Sequence, residues 1–145
     1  EKSKGVNYNI YFGNKVKHNC CIIIMFSGNK RFKSEHSFRD RRDESKRVLA
    51  NYPDRIPVIC EQANVFIDEV PYLDKKKFLV PKDLTMGQLV FVIRKRMKLP
   101  CEKAIFIFTN KTIPSSYKLV GDIYALNKDI DGFLYVTYSF ENVFG

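Results

Sequence analysis

The chain has 145 residues, of which 45% are hydrophobic and 28% charged, and its formal net charge is +9. This length indicates one domain that is large enough to bury a core, and the apolar content excludes an intrinsically disordered chain. The longest apolar run, CCIIIMF at residues 20–26, is far shorter than the roughly 20 residues that a membrane-spanning helix needs.

The positive charge is unevenly distributed along the chain. Residues 1–31 contain six Lys or Arg and one Glu, a charge of +5, so residues 32–145 carry the remaining +4. Nucleic-acid binding requires a concentrated basic face, and the sequence therefore predicts no nucleic-acid partner. A preference for acidic partners is the interpretation that this balance favours.

The four cysteines stand at positions 20, 21, 60 and 101, without a C-x-x-C spacing and with two histidines in the whole chain. This pattern predicts neither a metal site nor a cofactor, and it favours reduced thiols in a cytoplasmic protein. An enzyme that uses Cys60 or Cys101 as its nucleophile is an alternative. No histidine stands near either one in the sequence to act as a base, so we expect no enzymatic activity.

The first predicted segment is an N-terminal extension, residues 1–31, which mixes Gly, Asn and Lys with short β-branched runs and includes one strand in residues 21–26. Its apolar run at residues 22–26 is compatible with contact to a membrane or to an edge strand. A tail without function is the interpretation that we favour. Beyond it, acidic residues precede basic ones in SEHSFRDRRDESKRVLANY, which predicts two short amphipathic helices that end at Pro53.

Two strands and the clearest helix are predicted next. The strands lie in IPVICEQA, which Pro57 opens, and in KKKFLVP, which Pro81 ends. Thr85 and Gln88 then match the T-x-x-Q capping box. Apolar residues recur at helical spacing between positions 86 and 97, which predicts one buried helix face.

The remaining elements are a buried strand in AIFIFTNKTIP with a turn at Asn110 and Lys111, a shorter helix in SYKLVGDIYALNKD, and a closing strand in FLYVTYSF. Two strands, a crossing helix and a closing strand are the β-grasp arrangement of ubiquitin-like proteins. The predicted fold class is therefore α+β, a ubiquitin-like β-grasp domain (57–145) preceded by a helical subdomain (32–56) and the extension (1–31). The alternation of strands and helices alone is also compatible with other α+β folds.

Five blocks carry a resemblance to one family: FKSEHSFRDRRDESKRV, YPDRIPVICE, LDKKKFLVPKDLTMGQ, FVIRKRMKL and DGFLYVTYSFENVFG. They resemble the autophagy ubiquitin-like modifiers, the GABA-receptor-associated and microtubule-light-chain group known as autophagy-related protein eight. The resemblance runs from about Phe32 to Gly145, and YPDRIPV and DKKKFLVP are its most specific blocks. The loop NVFIDEVPYLD and the extension depart from the family pattern.

The resemblance implies a modifier without an active site of its own. Its C-terminal glycine, here Gly145, would be activated by an ATP-dependent enzyme, passed to a conjugating enzyme and joined to the amine of phosphatidylethanolamine. A cysteine protease would trim the precursor and later remove the lipid. The lipidated form would lie on autophagosomal and vacuolar or lysosomal membranes, and tubulin is a further candidate partner. Since glycine has no Cβ, its carboxylate can enter a narrow active site.

The resemblance also implies a docking surface for receptor peptides of the form aromatic-x-x-aliphatic, often with acidic flanks. Residues 77–80 would form an exposed edge strand that pairs with the peptide. The pocket for the aromatic side chain would consist of Glu44, Val48, Pro57, Lys77, Leu79 and Phe133. The pocket for the aliphatic side chain would consist of Phe78, Val80, Pro81, Leu84, Leu89 and Val92. The acidic flank would be attracted by Arg55, Lys75, Lys76, Lys77 and Arg96.

Each of these assignments has an alternative. Val48, Leu84, Leu89 and Val92 are equally compatible with ordinary core packing, and the three lysines with a solvated charge run. A different class of function is a trafficking or cytoskeletal adaptor that is never conjugated and uses only the peptide groove. Removal of Gly145 would distinguish the two. The modifier would lose its conjugation and with it its function, whereas the adaptor, which needs only peptide binding, would keep its function.

Overall fold

The computed structural model describes residues 31–63, 73 and 76–140, and the backbone alone of residues 9–11 and 22–25. Its strands form one sheet in the order β1-β2-β4-β3-β6-β5. In chain order the elements are β1 (Asn9–Tyr11), β2 (Ile22–Met25), α1 (Phe32–Glu35), α2 (Phe38–Asn51), β3 (Arg55–Gln62), β4 (Lys77–Pro81), α3 (Met86–Arg96), β5 (Phe106–Phe108), α4 (Val120–Asn127) and β6 (Leu134–Ser139).

Helices α1 and α2 lie where the sequence predicts two short helices, although α2 has 14 residues and α1 only four. Ser37 caps α2, and its hydroxyl oxygen accepts the backbone N–H of Asp40 at 3.1 Å. The carboxylate of Asp40 stands in the first turn, where it complements the helix dipole. The helix ends at Asn51. The N–H of its C-cap Tyr52 bonds to the carbonyl of Val48 at 2.8 Å, and Pro53 cannot continue the ladder.

Strand β3 lies between β4, which runs antiparallel to it, and β6, which runs parallel. The register places Pro57 opposite Leu79 on one side and Val58 opposite Leu134 on the other. Parallel strands need a long crossover, which here contains β4, α3, β5 and α4. The prediction of a ubiquitin-like β-grasp fold with two leading helices is confirmed.

Successive residues of a strand point to opposite sides of the sheet. Both faces of this sheet carry apolar side chains. The α3 face carries the main core, in which β3, β4 and β6 pack against α3 and α4. The α2 face carries two smaller clusters, one where Val48 of α2 packs on Leu79 and one that contains Phe32, Ile59 and Phe133. Strand β4 therefore contributes alternate residues to both faces.

Helix α3 begins at the predicted capping box. The Thr85 hydroxyl accepts the N–H of Gln88 at 3.2 Å, and the Gln88 side chain accepts the N–H of Thr85 at 3.0 Å. Beyond its other end, the guanidinium of Arg94 donates to the carbonyls of Lys103 at 2.7 Å and Pro100 at 3.0 Å. Both ends of the helix are therefore fixed by side chains of the helix or of its cap.

The turn after β5 and the start of α4 also follow the predictions. Asn110 and Lys111 adopt positive φ angles of 48° and 63°, and Thr109 pairs with Thr112 across them. Helix α4 then begins next to β4, since the N–H of Gly121 bonds to the carbonyl of Lys82 at 2.9 Å. None of the helices in the described ranges has the length and apolar character that crossing a bilayer requires.

The prediction that residues 77–80 form an exposed edge strand is wrong. Strand β4 has β3 on one side and β2, from the N-terminal extension, on the other. Ile23 stands opposite Leu79 and Met25 opposite Lys77. The expected strand of the extension is confirmed at Ile22–Met25. The outer strands of the described sheet are β1 and β5.

Candidate functional site

The residues expected to hold an aromatic side chain gather between α2 and the sheet. Val48 packs on Leu79, and Pro57 stands opposite Leu79 on the neighbouring strand. At the rim, the ammonium Nζ of Lys77 lies 2.8 Å from Oε1 of Glu44, so an ion pair joins β4 to α2. Five of the six predicted residues are therefore neighbours on the α2 face.

The sixth residue, Phe133, belongs to the adjacent cluster with Phe32. The ring centroids of these two residues are 5.2 Å apart, and the Nζ of Lys77 lies 5.0 Å from the centroid of Phe32. Phe32 thus connects Phe133 to the other five, and its own N–H bonds to Oε2 of Glu61 at 3.1 Å. Sequence reasoning missed Phe32 as a site residue, although an aromatic residue just ahead of a charged helix is a visible signal.

The residues expected to hold an aliphatic side chain lie on the opposite face of β4. Four of them are almost fully buried in the main core: Phe78 and Val80 of β4, and Leu84 and Leu89, which lie before and within α3. Val92 is only partly buried and packs at the margin of that core. Pro81 ends β4 opposite Arg55 and is buried too. Core packing accounts for the four residues of the main core, and Val92 is the one residue of this group that is not fully buried.

The predicted cationic residues differ in their surroundings. Lys76 and Lys77 already face carboxylates, with Nζ of Lys76 lying 3.8 Å from Oε2 of Glu61. Arg55 donates from Nη1 to the carbonyl oxygen of Leu79 at 3.3 Å, at the rim of β4. Arg96 is the last residue of α3. Lys75 and Gly145 lie outside the described residues, as does most of the loop NVFIDEVPYLD. The roles assigned to Lys75 and Gly145 therefore stay predictions.

A buried polar network holds α2 over the sheet beside these clusters. Asp131 is fully buried, and its Oδ2 accepts the hydroxyl of Tyr135 at 2.5 Å and lies 3.4 Å from Nη1 of Arg41. Its Oδ1 accepts the N–H of Phe133 at 2.9 Å. Burial and this hydrogen bond to the carboxylate raise the pKa of Tyr135 far above its usual value.

The α2 helix approaches the turn before β6 closely at Gly132. This glycine has φ +91°, and a Cβ added there would lie 2.4 Å from Oγ of Ser45. The Ser45 hydroxyl itself donates to the carbonyl of Asp131. A residue with a side chain fits neither the backbone angle nor the space. Sequence reasoning did not find this network, although Asp-Gly is a recognisable turn signal.

The two cysteines of the described ranges do not form a catalytic arrangement. Cys60 is fully buried on β3, and burial and then the neighbouring Glu61 raise the pKa of its thiol well above the usual value, which disfavours the thiolate. Cys101 is exposed and donates from Sγ to Oε2 of Glu102 at 3.4 Å. Within the described ranges, no three His, Cys, Asp or Glu residues come together as metal ligands.

Comparison with known proteins relates this arrangement to one family, described as "Autophagy protein Atg8 ubiquitin like", whose sequence pattern matches residues 40–145. Autophagy-related protein 8 of Mycosarcoma maydis is 58% identical over 114 residues, which cover 79% of this chain and 95% of that protein. Autophagy-related protein 8c of Arabidopsis thaliana is 56% identical over 117 residues, which cover 81% of this chain and 97% of that protein.

Two solved structures share the fold and much of the sequence. Trypanosoma brucei ATG8 superposes with a TM-score of 0.69 at 44% identity, over 77% of this chain and 95% of that one. Plasmodium falciparum Atg8, in complex with a Plasmodium falciparum Atg3 peptide, superposes with a TM-score of 0.71 at 36% identity, over 77% of this chain and 97% of that one. Fold and sequence agree, and the chain belongs to the Atg8 family of ubiquitin-like autophagy proteins.

Proposed function

We propose that this protein is an autophagy modifier that is joined through the carboxylate of Gly145 to the amine of phosphatidylethanolamine. The observation that carries the proposal is the family match over residues 40–145, which includes that glycine. An activating enzyme with ATP and a conjugating enzyme would form the bond, and a cysteine protease would process the precursor and reverse the lipidation. The conjugate would reside on autophagosomal and vacuolar or lysosomal membranes.

The conjugating enzyme is the partner for which a relative offers a direct parallel. The Plasmodium falciparum Atg8 structure contains a peptide of Atg3, and we propose that the present chain binds the corresponding segment of its own conjugating enzyme. Receptor peptides of the form aromatic-x-x-aliphatic would use the same strand, β4.

The arrangement of β4 supports peptide docking. A bound strand presents alternate side chains to opposite faces, and β4 has an apolar cluster on each face: Val48 with Leu79 under α2, and the margin of the main core beside Val92 under α3. Lys77, at the rim, exchanges its bond to Glu44 for a bond to an acidic peptide residue. Two apolar faces with a cationic rim match an apolar peptide with acidic flanks.

Conjugation is tested by incubating the protein with the activating and conjugating enzymes, ATP and liposomes that contain phosphatidylethanolamine. We expect a faster-migrating lipidated band for the wild type and for the matched control Asn142→Ala, and no band for Gly145→Ala. A wild type that forms no band, or a Gly145→Ala variant that conjugates equally well, contradicts the proposal.

Docking is tested by calorimetry with an aromatic-x-x-aliphatic peptide. Lys77→Glu combined with Leu79→Ala should abolish binding, whereas Lys82→Glu, an exposed lysine just beyond β4, should leave it within about twofold. Circular dichroism melting verifies that the double variant is folded, because Leu79 is buried. If the double variant retains binding, β4 is not part of the docking site. Peptide binding without any conjugation supports the unconjugated adaptor instead.

A further inference from the structure

Strand β2 of the N-terminal extension occupies the side of β4 on which the proposed peptide would bind. The family match begins at residue 40, so β1 and β2 lie outside it. We propose that β2 is a built-in competitor, which pairs with the same backbone groups of β4 as the peptide and has to leave before a peptide binds. This inference rests on the proposed function, which supplies the peptide.

The backbone groups in question can be identified from the register. The N–H of Cys60 bonds to the carbonyl of Lys76 at 2.8 Å. Because hydrogen-bonded and non-hydrogen-bonded pairs alternate along an antiparallel ladder, Phe78 and Val80 use their backbone groups toward β3. Lys77 and Leu79 therefore direct theirs to the other side, and Arg55 donates to the carbonyl of Leu79 there at 3.3 Å.

These outward groups of Lys77 and Leu79 are the ones that β2 faces. The pairing sets Ile23 opposite Leu79 and Met25 opposite Lys77, in antiparallel register. A peptide that adds a strand to β4 needs the same two residues, since Phe78 and Val80 are committed to β3. The backbone of β4 cannot pair with both strands at once, so the two exclude each other.

The sequence of β2 suits this position. Ile22–Met25 reads IIIM, without a polar residue, a pattern typical of a strand that is apolar on both sides. Its register places Ile23 opposite Leu79, which belongs to the α2-face cluster, and Ile24 opposite Phe78, which belongs to the main core. The extension thus supplies apolar residues at both positions where the proposed peptide would present its own.

Covalent attachment makes β2 an effective competitor. Six residues, 26–31, separate it from α1, where Phe32 is fully buried and anchors the chain. A short tether gives an effective concentration of the order of millimolar. If β2 leaves β4 open about one tenth of the time, the apparent Kd of a peptide rises about tenfold.

The competitor is nevertheless short enough to be displaced. Strand β2 has four residues and β1 has three, and an isolated two-stranded ribbon is marginally stable in water. Displacing β1 and β2 breaks the hydrogen bonds between β2 and β4 and leaves the β3–β4 and β3–β6 ladders intact. Peptide binding then opens the edge through a population shift within the same chain.

Amide hydrogen exchange measured by NMR on the full chain tests the occupancy without any peptide. In the wild type the N–H groups of Lys77 and Leu79 should be protected. In Ile23→Pro, which removes the N–H that faces Leu79 and so breaks the ladder between β2 and β4, their exchange should accelerate at least about tenfold. Phe78 and Val80 should stay protected by β3, and Ile23→Val should behave as the wild type. Equal exchange of Lys77 and Leu79 in all three proteins overturns the inference.

Calorimetry with the aromatic-x-x-aliphatic peptide then tests the competition. Ile23→Pro should bind about tenfold more tightly than the wild type and than Ile23→Val. Equal, measurable affinities of all three overturn the inference and leave the proposed docking function standing. Absence of binding in all three overturns both. Protection of Lys77 and Leu79 that disappears on dilution assigns the occupying strand to a second copy, and it also overturns the intramolecular competitor.

Discussion

At the scale of single residues, Asp131 bears the strongest local constraint beside the candidate site. It is fully buried and joins Arg41 of α2, the hydroxyl of Tyr135 and the backbone of Phe133. Removal of one partner leaves the other charge buried and unpaired, which costs about 3–5 kcal/mol in comparable pairs. The network therefore sets the position of α2, and with it the α2-face cluster.

We expect Asp131→Ala to lower the free energy of unfolding by about 3–5 kcal/mol, because Arg41 then loses its buried counterion. Asp131→Asn should lose less, since its amide oxygen can still accept the N–H of Phe133. Urea unfolding followed by circular dichroism measures both. Asp83→Ala, at an exposed position, is the control and should stay within about 0.5 kcal/mol of the wild type. A comparably small loss in Asp131→Ala would show that the network does not hold α2.

Asp129 gives a pH-dependent contact between α1 and the turn before β6. Partial burial raises its pKa, but the Lys33 ammonium at 2.8 Å and the N–H of Asp131 outweigh that effect, and the pKa is lower than usual. A carboxylate with a lowered folded pKa contributes stability that is present above its unfolded pKa. This contribution is lost as the pH falls through the folded pKa, on the acidic side of about 4.

In Lys33→Gln the pKa of Asp129 should therefore rise toward its usual value. Lys33→Arg, which keeps the charge, should leave the pKa of Asp129 low. A carbon-detected NMR titration of the Asp129 carboxyl from pH 7 to pH 2 measures this shift directly. In parallel, the stability lost between pH 7 and pH 3 should be smaller in Lys33→Gln than in the wild type. An unchanged pKa in Lys33→Gln contradicts the assignment.

At the scale of elements, α3 depends on its first turn. Thr85→Ala removes the acceptor for the N–H of Gln88, so we expect it to lower the free energy of unfolding by about 1 kcal/mol. Thr85→Ser keeps the hydroxyl and should lose only a few tenths. Urea unfolding of both variants, with Gln88→Ala and the double variant as a cycle, separates the two bonds of the capping box. Equal stability of Thr85→Ala and Thr85→Ser would argue against the box.

Local signals account for the elements that the sequence predicts well. The capping box at Thr85, the stops at Pro53 and Pro81 and the turn at Asn110 all act within a few residues of chain, and each is confirmed. Strand neighbours are different, because pairing is decided by contacts between distant segments. The prediction that β4 is an edge strand was wrong for this reason. Nothing in the local sequence IIIM of β2 specifies β4 as the strand with which it pairs.

At the scale of the whole molecule, sequence reasoning identifies the fold and the two sides of the candidate site but not their degree of burial. The residues assigned to the aromatic pocket lie on the α2 face, and most of those assigned to the aliphatic pocket lie on the α3 face. Strand alternation makes that division predictable. Burial of Phe78 and Leu89 depends on how α3 packs on the sheet, and the role of Phe32 depends on where the first helix folds back. Both are properties of the assembled fold.

The charge of the whole molecule raises a last question, whether acidic peptides are drawn by the net charge of +9 or by the few cations near β4. Lys76 and Lys77 lie within 4 Å of carboxylates of the chain itself. Lys111 lies in the exposed turn after β5, and β6 and β3 separate β5 from β4 in the sheet. If the cations near β4 attract the acidic peptide, substitution of Lys76 weakens this attraction and substitution of Lys111 does not.

We expect a peptide with acidic flanks to bind about tenfold more weakly at 1 M than at 0.1 M NaCl, because the Debye length falls from about 10 to about 3 Å. A peptide with neutral flanks should change less than about twofold, since its apolar contacts are not screened. Lys76→Gln should reduce the salt dependence for the acidic peptide, and Lys111→Gln should preserve it. Calorimetry across the salt series decides the matter: equal effects of the two substitutions mean that net charge, and not the surroundings of β4, attracts the acidic flank.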